Sequence, residues 1–198
     1  MSGVAERQIY LVRHGETEWS LTGRHTGNTD ISLTEVGRAQ ATALGDRLRD
    51  RAFALVLTSP LSRAADTARL AGFPDARVEP DLREWDYGEF EGRTTVDIRE
   101  SLPGWTIWAG PWQGGETVDD VGARVDRVIA RCLDPGVTGD CLLFAHGHVL
   151  RVLAARWLQL PPDHGRLFAL GTATISVLGW ERETRVIETW NEAPQAPG

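Results

Sequence analysis

The sequence predicts an α/β/α sandwich built on a mainly parallel, mixed sheet. Short apolar runs alternate with longer stretches whose apolar residues recur at helical spacing, the pattern of a sheet covered by helices. Three of those runs stop at polar punctuation: Arg13-His14-Gly15, Thr58-Ser59-Pro60 and His146-Gly147-His148. No repeat and no low-complexity linker divides the 198 residues, a length that suits one domain.

Taken in order, Ile9-Tyr10-Leu11-Val12 reads as a buried strand. Glu16 to Asp30 reads as a polar loop. Ser32-Leu33-Thr34-Glu35 then opens a helix, with Thr34 as N-cap and Ala39, Ala43, Leu44 and Leu48 following at helical spacing. Phe53 to Leu57 reads as the second strand, and the helix after it carries Arg63, Ala64, Thr67, Ala68 and Leu70. Val78 to Gly92 is mixed and turn-rich. Leu102 to Gly115, with its glycines, prolines and tryptophans, reads as an excursion outside the core. Thr117 to Leu133 is a helix with Val118, Val121, Val125, Val128 and Ile129 on one face. A strand from Asp140 to Ala145 leads into a helix from Val149 to Leu158, and strands from Thr174 to Trp180 and Arg185 to Trp190 complete the pattern. The expected organisation is one domain over residues 1–192, an excursion at about 86–116, and a disordered proline-rich tail at 193–198.

Composition narrows the partners. The hydrophobic fraction is 41%, the charged fraction 25%, and the net charge is -7. An acidic chain is a poor match for nucleic acid or an anionic membrane, which both reward basic surfaces. A local arginine cluster can still bind a small anion, because contact charges outweigh screened distant ones. Cys132 and Cys141 are too few for a disulfide framework and read as buried free thiols. Met1 to Gln8 has no apolar signal core, and no apolar run reaches the roughly 20 residues that span a bilayer, so the expected location is cytoplasmic.

In open α/β sheets, ligands bind beyond the carboxyl ends of strands. The three punctuated ends therefore have reason to converge. They bring Arg13 and His14, then Arg63 just after Pro60, then His146. Guanidinium forks match phosphate oxygens. Helix N-termini after Pro60 and Gly147 add free N–H groups, and Gly15 and Gly147 permit close approach of backbone to ligand. A histidine among arginines resists protonation, and a neutral imidazole has a lone pair that can attack phosphorus. Its other nitrogen needs a partner to fix the tautomer, and the sequence does not identify it.

These residues resemble the signature of the histidine phosphatase superfamily, also called phosphoglycerate mutase-like. The resembling blocks are Leu11-Val12-Arg13-His14-Gly15-Glu16-Thr17, Thr26-Gly27-Asn28-Thr29-Asp30 with Leu33 to Gly37, Ser59-Pro60-Leu61-Ser62-Arg63-Ala64, Leu82-Arg83-Glu84-Trp85-Asp86-Tyr87-Gly88, and Phe144-Ala145-His146-Gly147-His148. They run in order from about residue 8 to 190. The resemblance implies the phosphoglycerate mutase-like fold. It implies His14 as phosphoryl acceptor, with Arg13, Arg63, His146 and Gly147 around the phosphate. It implies Glu84 as the acid that protonates the leaving alkoxide and then the base that activates water. Such chemistry needs positioning and charge neutralisation, so neither metal nor cofactor is expected.

The family includes mutases and phosphatases. The cofactor-dependent mutases resembled here carry a longer insertion with a lysine and paired arginines. This chain has only Gly92 to Glu116 there, and all 21 of its basic residues are arginine. Ser20 and Asn28 also depart from the mutase pattern. Hydrolysis is therefore the expected activity, with mutase-type transfer as the alternative. Arg24-His25-Thr26-Gly27, Leu82-Arg83-Glu84-Trp85, Trp105-Thr106-Ile107-Trp108, Gly115-Glu116-Thr117 and Phe144 to Arg151 resemble the sugar-bisphosphatase (sedoheptulose bisphosphatase-like) branch. That branch implies a small phosphorylated sugar as substrate. It also implies Ser20, His25, Thr26, Gly27, Tyr87 and Glu116 as residues around the substrate, and Leu102 to Gly115 as a lid whose Trp105, Trp108 and Trp112 cover the sugar.

Two other classes compete. His14, His146 and His148 suggest a metal hydrolase, but crowding arginines repel a divalent cation. A non-catalytic phosphate-binding module would have lost its nucleophile or acid, and His14, Arg63, Glu84 and His146 are all present. His148 reads as a packing or capping residue and His164 as a surface one. The apolar final strands and Trp190 permit a homodimer.

Overall fold

The computed structural model describes residues 7–193. Six strands form one mixed sheet in the order β3-β2-β4-β1-β5-β6. They are β1 (Ile9–Arg13), β2 (Leu55–Thr58), β3 (Arg77–Val78), β4 (Cys141–Ala145), β5 (Ile175–Glu181) and β6 (Thr184–Glu192). The first four strands in the sheet order are mutually parallel; β5 and β6 continue it antiparallel. The helices are α1 (Glu18–Thr22), α2 (Glu35–Leu48), α3 (Ser62–Leu70), α4 (Thr95–Ser101), α5 (Val118–Cys132) and α6 (Gly147–Trp157).

The period of two along the central strands makes the layers. Ile9 and Leu11 of β1, with Cys141, Leu143 and Ala145 of β4, face a core shared with α5 and α6. Tyr10 and Val12, with Leu142 and Phe144, face a second core with Leu44 and Leu48 of α2 and Ala68 of α3. Both faces of β1 and β4 are covered, which is why their sequences are continuous apolar runs. α5 buries Val118, Val121, Val125, Val128, Ile129 and Cys132 on one stripe. Its start is fixed by a capping box between Thr117 and Asp120, a device worth about 0.5–2 kcal/mol. Thr34 caps α2 by accepting from the Gly37 N–H at 3.0 Å.

The register positions the site. Arg13 pairs with Ala145, and Thr58 pairs with Phe144. The next residues, His14, His146 and Ser59, therefore leave the sheet side by side. The His14 N–H donates to the Ala145 carbonyl at 3.0 Å, and the Ser59 N–H to the Phe144 carbonyl at 2.9 Å.

The structure departs from the sequence reading in four places. The polar loop 16–30 contains α1, started by a Thr17–Ser20 capping box and ended by Gly23 at φ 69°. The second strand starts two residues later than expected and ends one later, over Leu55–Thr58. The turn-rich tract contributes the two-residue edge strand β3 and two 3-10 turns, Pro80–Leu82 and Gly88–Phe90. The fourth departure is the excursion: it is part of the core, with Phe90, Ile98, Trp105 and Ile107 buried against residues of α5 and α6. The tail expected at 193–198 lies, beyond residue 193, outside the described residues.

Candidate active site

A cavity of about 270 Å³ opens at the carboxyl ends of β1 and β4. Its wall includes Arg13, His14, Ser20, Arg24, His25, Thr26, Glu84, Tyr87, Gly147, His148 and Arg151.

His14 is 5% exposed. Its Nδ1 lies 2.7 Å from the Gly15 carbonyl. A carbonyl only accepts, so Nδ1 carries the proton and Nε2 keeps its lone pair. Burial holds the imidazole well below its ordinary pKa, and the Arg13 and Arg63 guanidinium groups push the same way. The carbonyl the sequence left unidentified is thus that of the next residue. Gly15 can turn this way because it sits against the backbone of Gly37, where a Cβ would collide with the Gly37 carbonyl.

Arg13 brings charge to the same corner. Its Nη1 donates to the Leu170 carbonyl at 2.5 Å, while its buried Nε has no partner among the described residues. Gly147 lies directly over it: a Cβ at Gly147 would stand 3.3 Å from the Arg13 Cζ. α6 starts at Gly147 with no side-chain cap, and the His148 and Val149 N–H groups go to Glu84. An orphaned guanidinium nitrogen beside the first N–H of a helix, at Gly147, is an arrangement that receives an oxyanion.

Arg63 and His146 stand behind this corner, both 0% exposed. The His14 and His146 rings are 5.1 Å apart. Arg63 donates from Nε to the His146 Nδ1 at 3.1 Å. It also donates from Nη1 to the Thr29 carbonyl at 2.9 Å, and from Nη2 to the Thr26 and Gly27 carbonyls at 3.0 Å each. Because Nδ1 accepts, His146 donates from Nε2 to the Ser59 hydroxyl at 2.7 Å. Burial and Arg63 keep His146 neutral, far below its ordinary pKa. The sequence placed both residues on the phosphate. In the structure neither residue lines the cavity, and four of the five Arg63 N–H groups are engaged by three carbonyls of the 26–29 loop and the His146 ring.

Glu84 is 5% exposed and bridges two segments. Oε1 accepts from the Trp85 and Val149 N–H groups at 2.9 Å each, and Oε2 accepts from the His148 N–H at 3.0 Å. The Tyr87 hydroxyl and the His148 Nδ1 lie 2.6 Å apart. Burial pushes the Tyr87 hydroxyl well above 10 and holds His148 well below 6.5. His25 packs on Tyr87 at 4.8 Å and is lowered by burial to about 4. All three are neutral donors and acceptors in the cavity wall near pH 7.

Of the remaining expected residues, Ser20, His25, Thr26 and Tyr87 reach the cavity wall, and Gly27 and Glu116 do not. Gly27 is a packing position: a Cβ there would come 2.5 Å from the Trp85 carbonyl. The carboxylate of Glu116 is taken by Arg83 at 3.1 Å and Arg124 at 2.9 Å. The tryptophan lid is also corrected. Trp105 is 3% exposed, Trp108 stacks edge-on against Trp85 at 5.7 Å, and Trp112 donates to the Ile107 carbonyl at 2.6 Å. None of the three lines the cavity: Trp105 and Trp112 donate to carbonyls of their own loop, and Trp108 packs between Trp85 and Arg151.

The sequence reading gave no role to Arg24 or Arg151, which both line the cavity. Arg151 lies one helical turn past Gly147 and stacks over Trp108 at 4.7 Å. Among the described residues no group of three or more His, Cys, Asp or Glu has metal-binding geometry, and no helix is long and apolar enough to cross a membrane.

The model of the histidine phosphatase superfamily (branch 1) matches residues 9–193. An acid phosphatase of Mycobacterium tuberculosis is 43% identical over 185 residues, covering 92% of this chain and 91% of that protein. The sedoheptulose 1,7-bisphosphatase of Saccharomyces cerevisiae is 37% identical over 181 residues, covering 76% of this chain and 67% of that protein. Among solved structures, that of an open reading frame of Mycobacterium tuberculosis superposes with a TM-score of 0.91 at 41% identity, over 96% of this chain and 99% of that one. The mycobacterial glucosyl-3-phosphoglycerate phosphatase in complex with VO3 superposes with a TM-score of 0.83 at 31% identity, over 94% of this chain and 100% of that one.

Proposed function

The chain belongs to the histidine phosphatase superfamily and is a phosphomonoesterase; from that premise we propose that it hydrolyses a small phosphorylated metabolite, a sugar phosphate, through a phosphohistidine on His14. The observation that carries this reading is the His14 tautomer. Nδ1–H is engaged by the Gly15 carbonyl, so the lone pair of Nε2 is available at a pH where an ordinary histidine is partly protonated.

Nε2 attacks phosphorus. The P–N bond forms as the bond to the alcohol oxygen breaks, and that oxygen takes its proton from Glu84. Glu84 suits the task because Oε2 has a single hydrogen bond, to the His148 N–H, and so has room for the proton. The Arg13 guanidinium and the N-terminus of α6 receive the charge on the equatorial oxygens. Arg63 and His146 act one layer back: Arg63 repels a proton from His14, and His146 fixes the Arg63 fork. Water then attacks phosphorus, Glu84 takes a proton from it, and the P–N bond breaks to release inorganic phosphate.

The sugar-phosphate assignment rests on the named activities of the bisphosphatase relative and the glucosyl-3-phosphoglycerate phosphatase neighbour. The small cavity, polar at Ser20, Thr26, His25 and Tyr87, suits hydroxyl-rich carbon. A panel of sugar phosphates, glycolytic acid phosphates and p-nitrophenyl phosphate tests it. A preferred sugar phosphate supports the assignment; equal kcat/KM on every ester removes it. Release of inorganic phosphate rather than a phosphoryl-shifted product separates hydrolysis from mutase-type transfer.

A further inference from the structure

Arg124 lies in the middle of α5 and is 2% exposed. All five of its N–H groups have acceptors. Nε and one Nη2 N–H clamp the Glu116 carboxylate at 2.9 and 3.0 Å. The remaining three reach main-chain carbonyls of one short tract: Asp81 at 2.8 Å, Arg83 at 2.7 Å and Glu84 at 3.1 Å. Glu116 grips the same tract from its other end. Its Oε2 accepts from the Asp86 N–H at 3.0 Å, its carbonyl accepts from the Trp85 Nε1 at 2.8 Å, and its N–H donates to the Asp86 carbonyl at 3.0 Å.

The tract so bracketed carries Glu84. Its carboxylate is gripped by N–H groups of α6, and its backbone by the Arg124–Glu116 pair from α5 and its N-terminal flank. Between them these contacts fix where the carboxylate stands relative to His14. The tract itself has little regular structure to fix it, only the 3-10 turn at Pro80–Leu82 and irregular backbone. A buried guanidinium needs a full set of acceptors to be tolerated, and here three of the five are the backbone of the acid's own loop. Lysine could not substitute, since its three donors leave one point and cannot serve acceptors spread over a fork.

We propose that Arg124, paired with Glu116, is the positioning residue for the proton donor Glu84. The inference rests on the reading of Glu84 as the acid. It makes a specific claim about which esters suffer. An alkoxide leaves phosphorus only with a proton, whereas p-nitrophenolate leaves without one. Loss of the clamp therefore hurts alkyl esters selectively.

The test compares kcat/KM, which reports the steps up to alcohol release, on glycerol phosphate and on p-nitrophenyl phosphate. The variants are Arg124→Gln, Glu116→Gln and, as the reference, Glu84→Gln. Displacement of a catalytic group by about 1 Å costs on the order of 100-fold. Arg124→Gln is expected to lose about 10- to 100-fold on glycerol phosphate and less than about 3-fold on p-nitrophenyl phosphate, with Glu116→Gln following the same pattern to a smaller degree. If Arg124→Gln does not fold, Glu116→Gln decides, because it keeps the arginine on its three carbonyls. Equal losses on both esters from the clamp variants, with Glu84→Gln selective, would make the pair a structural staple and overturn the inference alone. A Glu84→Gln enzyme that loses both esters equally would overturn the acid assignment and the inference with it.

Discussion

The site is supplied by two regions built by different means. The strand ends supply His14, Ser59 and His146, and they do so by register: Arg13 pairs with Ala145 and Thr58 with Phe144, so the residues that follow are neighbours. The tract from Glu79 to Glu116 supplies Glu84 and Tyr87, and no sheet register holds it. It is held by buried charge, the Arg124–Glu116 pair and the Glu91 carboxylate that accepts from the Gly27 and Thr29 N–H groups. Its tryptophans pack into the core shared with α5 and α6 instead of covering the cavity. The nucleophile is thus placed by strand register, and the backbone that carries the acid by side chains. Rigid strand ends suit a group that must align with phosphorus; the looser tract is where sequence can change without disturbing the nucleophile.

The largest test of this contrast is His14→Asn. It should leave the thermal midpoint within a few degrees while removing at least about 10⁴-fold of activity on alkyl and aryl esters alike, since no ester bypasses the nucleophile. Retained hydrolysis of either ester would break the contrast at its first term. Trp105→Ala comes next. As a core residue of the tract it should cost about 3–5 kcal/mol by denaturant unfolding. A lid residue would instead raise KM with little change in stability. Ser59→Ala leaves the buried His146 Nε2 without its acceptor and should cost about 1–3 kcal/mol, with the fall in kcat similar on both esters.

The smallest effect concerns pH. Folded His25 titrates at about 4, against about 6.5 for an exposed histidine. Below 6.5 the unfolded chain takes up a proton that folded His25 refuses, so its contribution to stability is present above 6.5 and lost as pH falls toward 4. His14, His146 and His148 are shifted in the same direction by burial and add to the slope. His25→Gln should flatten the stability curve in that window by about 1.4 kcal/mol per pH unit and leave it unchanged above pH 7. Urea unfolding at pH 5, 6 and 7.5 measures this. For the same reason the acid limb of kcat/KM should lie well below 6.5, because His14 stays neutral there.

The two regions also differ in how far the sequence exposed them. β1 and β4 are continuous apolar runs, and α2 and α5 are apolar stripes at helical spacing whose starts Thr34 and Thr117 cap. The meeting of His14, Arg63 and His146 followed from strand-end punctuation alone. The depth at which Arg63 and His146 sit did not follow, because burial depends on the 26–29 loop folding over the arginine, and no local pattern encodes that. α1 was hidden because five residues are too few for periodicity. Arg124 was hidden by its setting, a charged residue in a helix whose apolar stripe explained the helix without it. Glu116 read as a substrate contact from the resemblance alone; the partner that claims it, Arg124, lies eight positions on, inside α5.

Covalent capture at His14 is the most direct test of the whole account. The enzyme is mixed with substrate, quenched in base within the first turnover, and digested with trypsin, which releases residues 14–24 as a fragment. The account requires a base-stable, acid-labile phosphoryl adduct on that fragment, absent in His14→Asn. Rapid turnover with the fragment unmodified, or an adduct on a fragment holding His25 or His146, would contradict it.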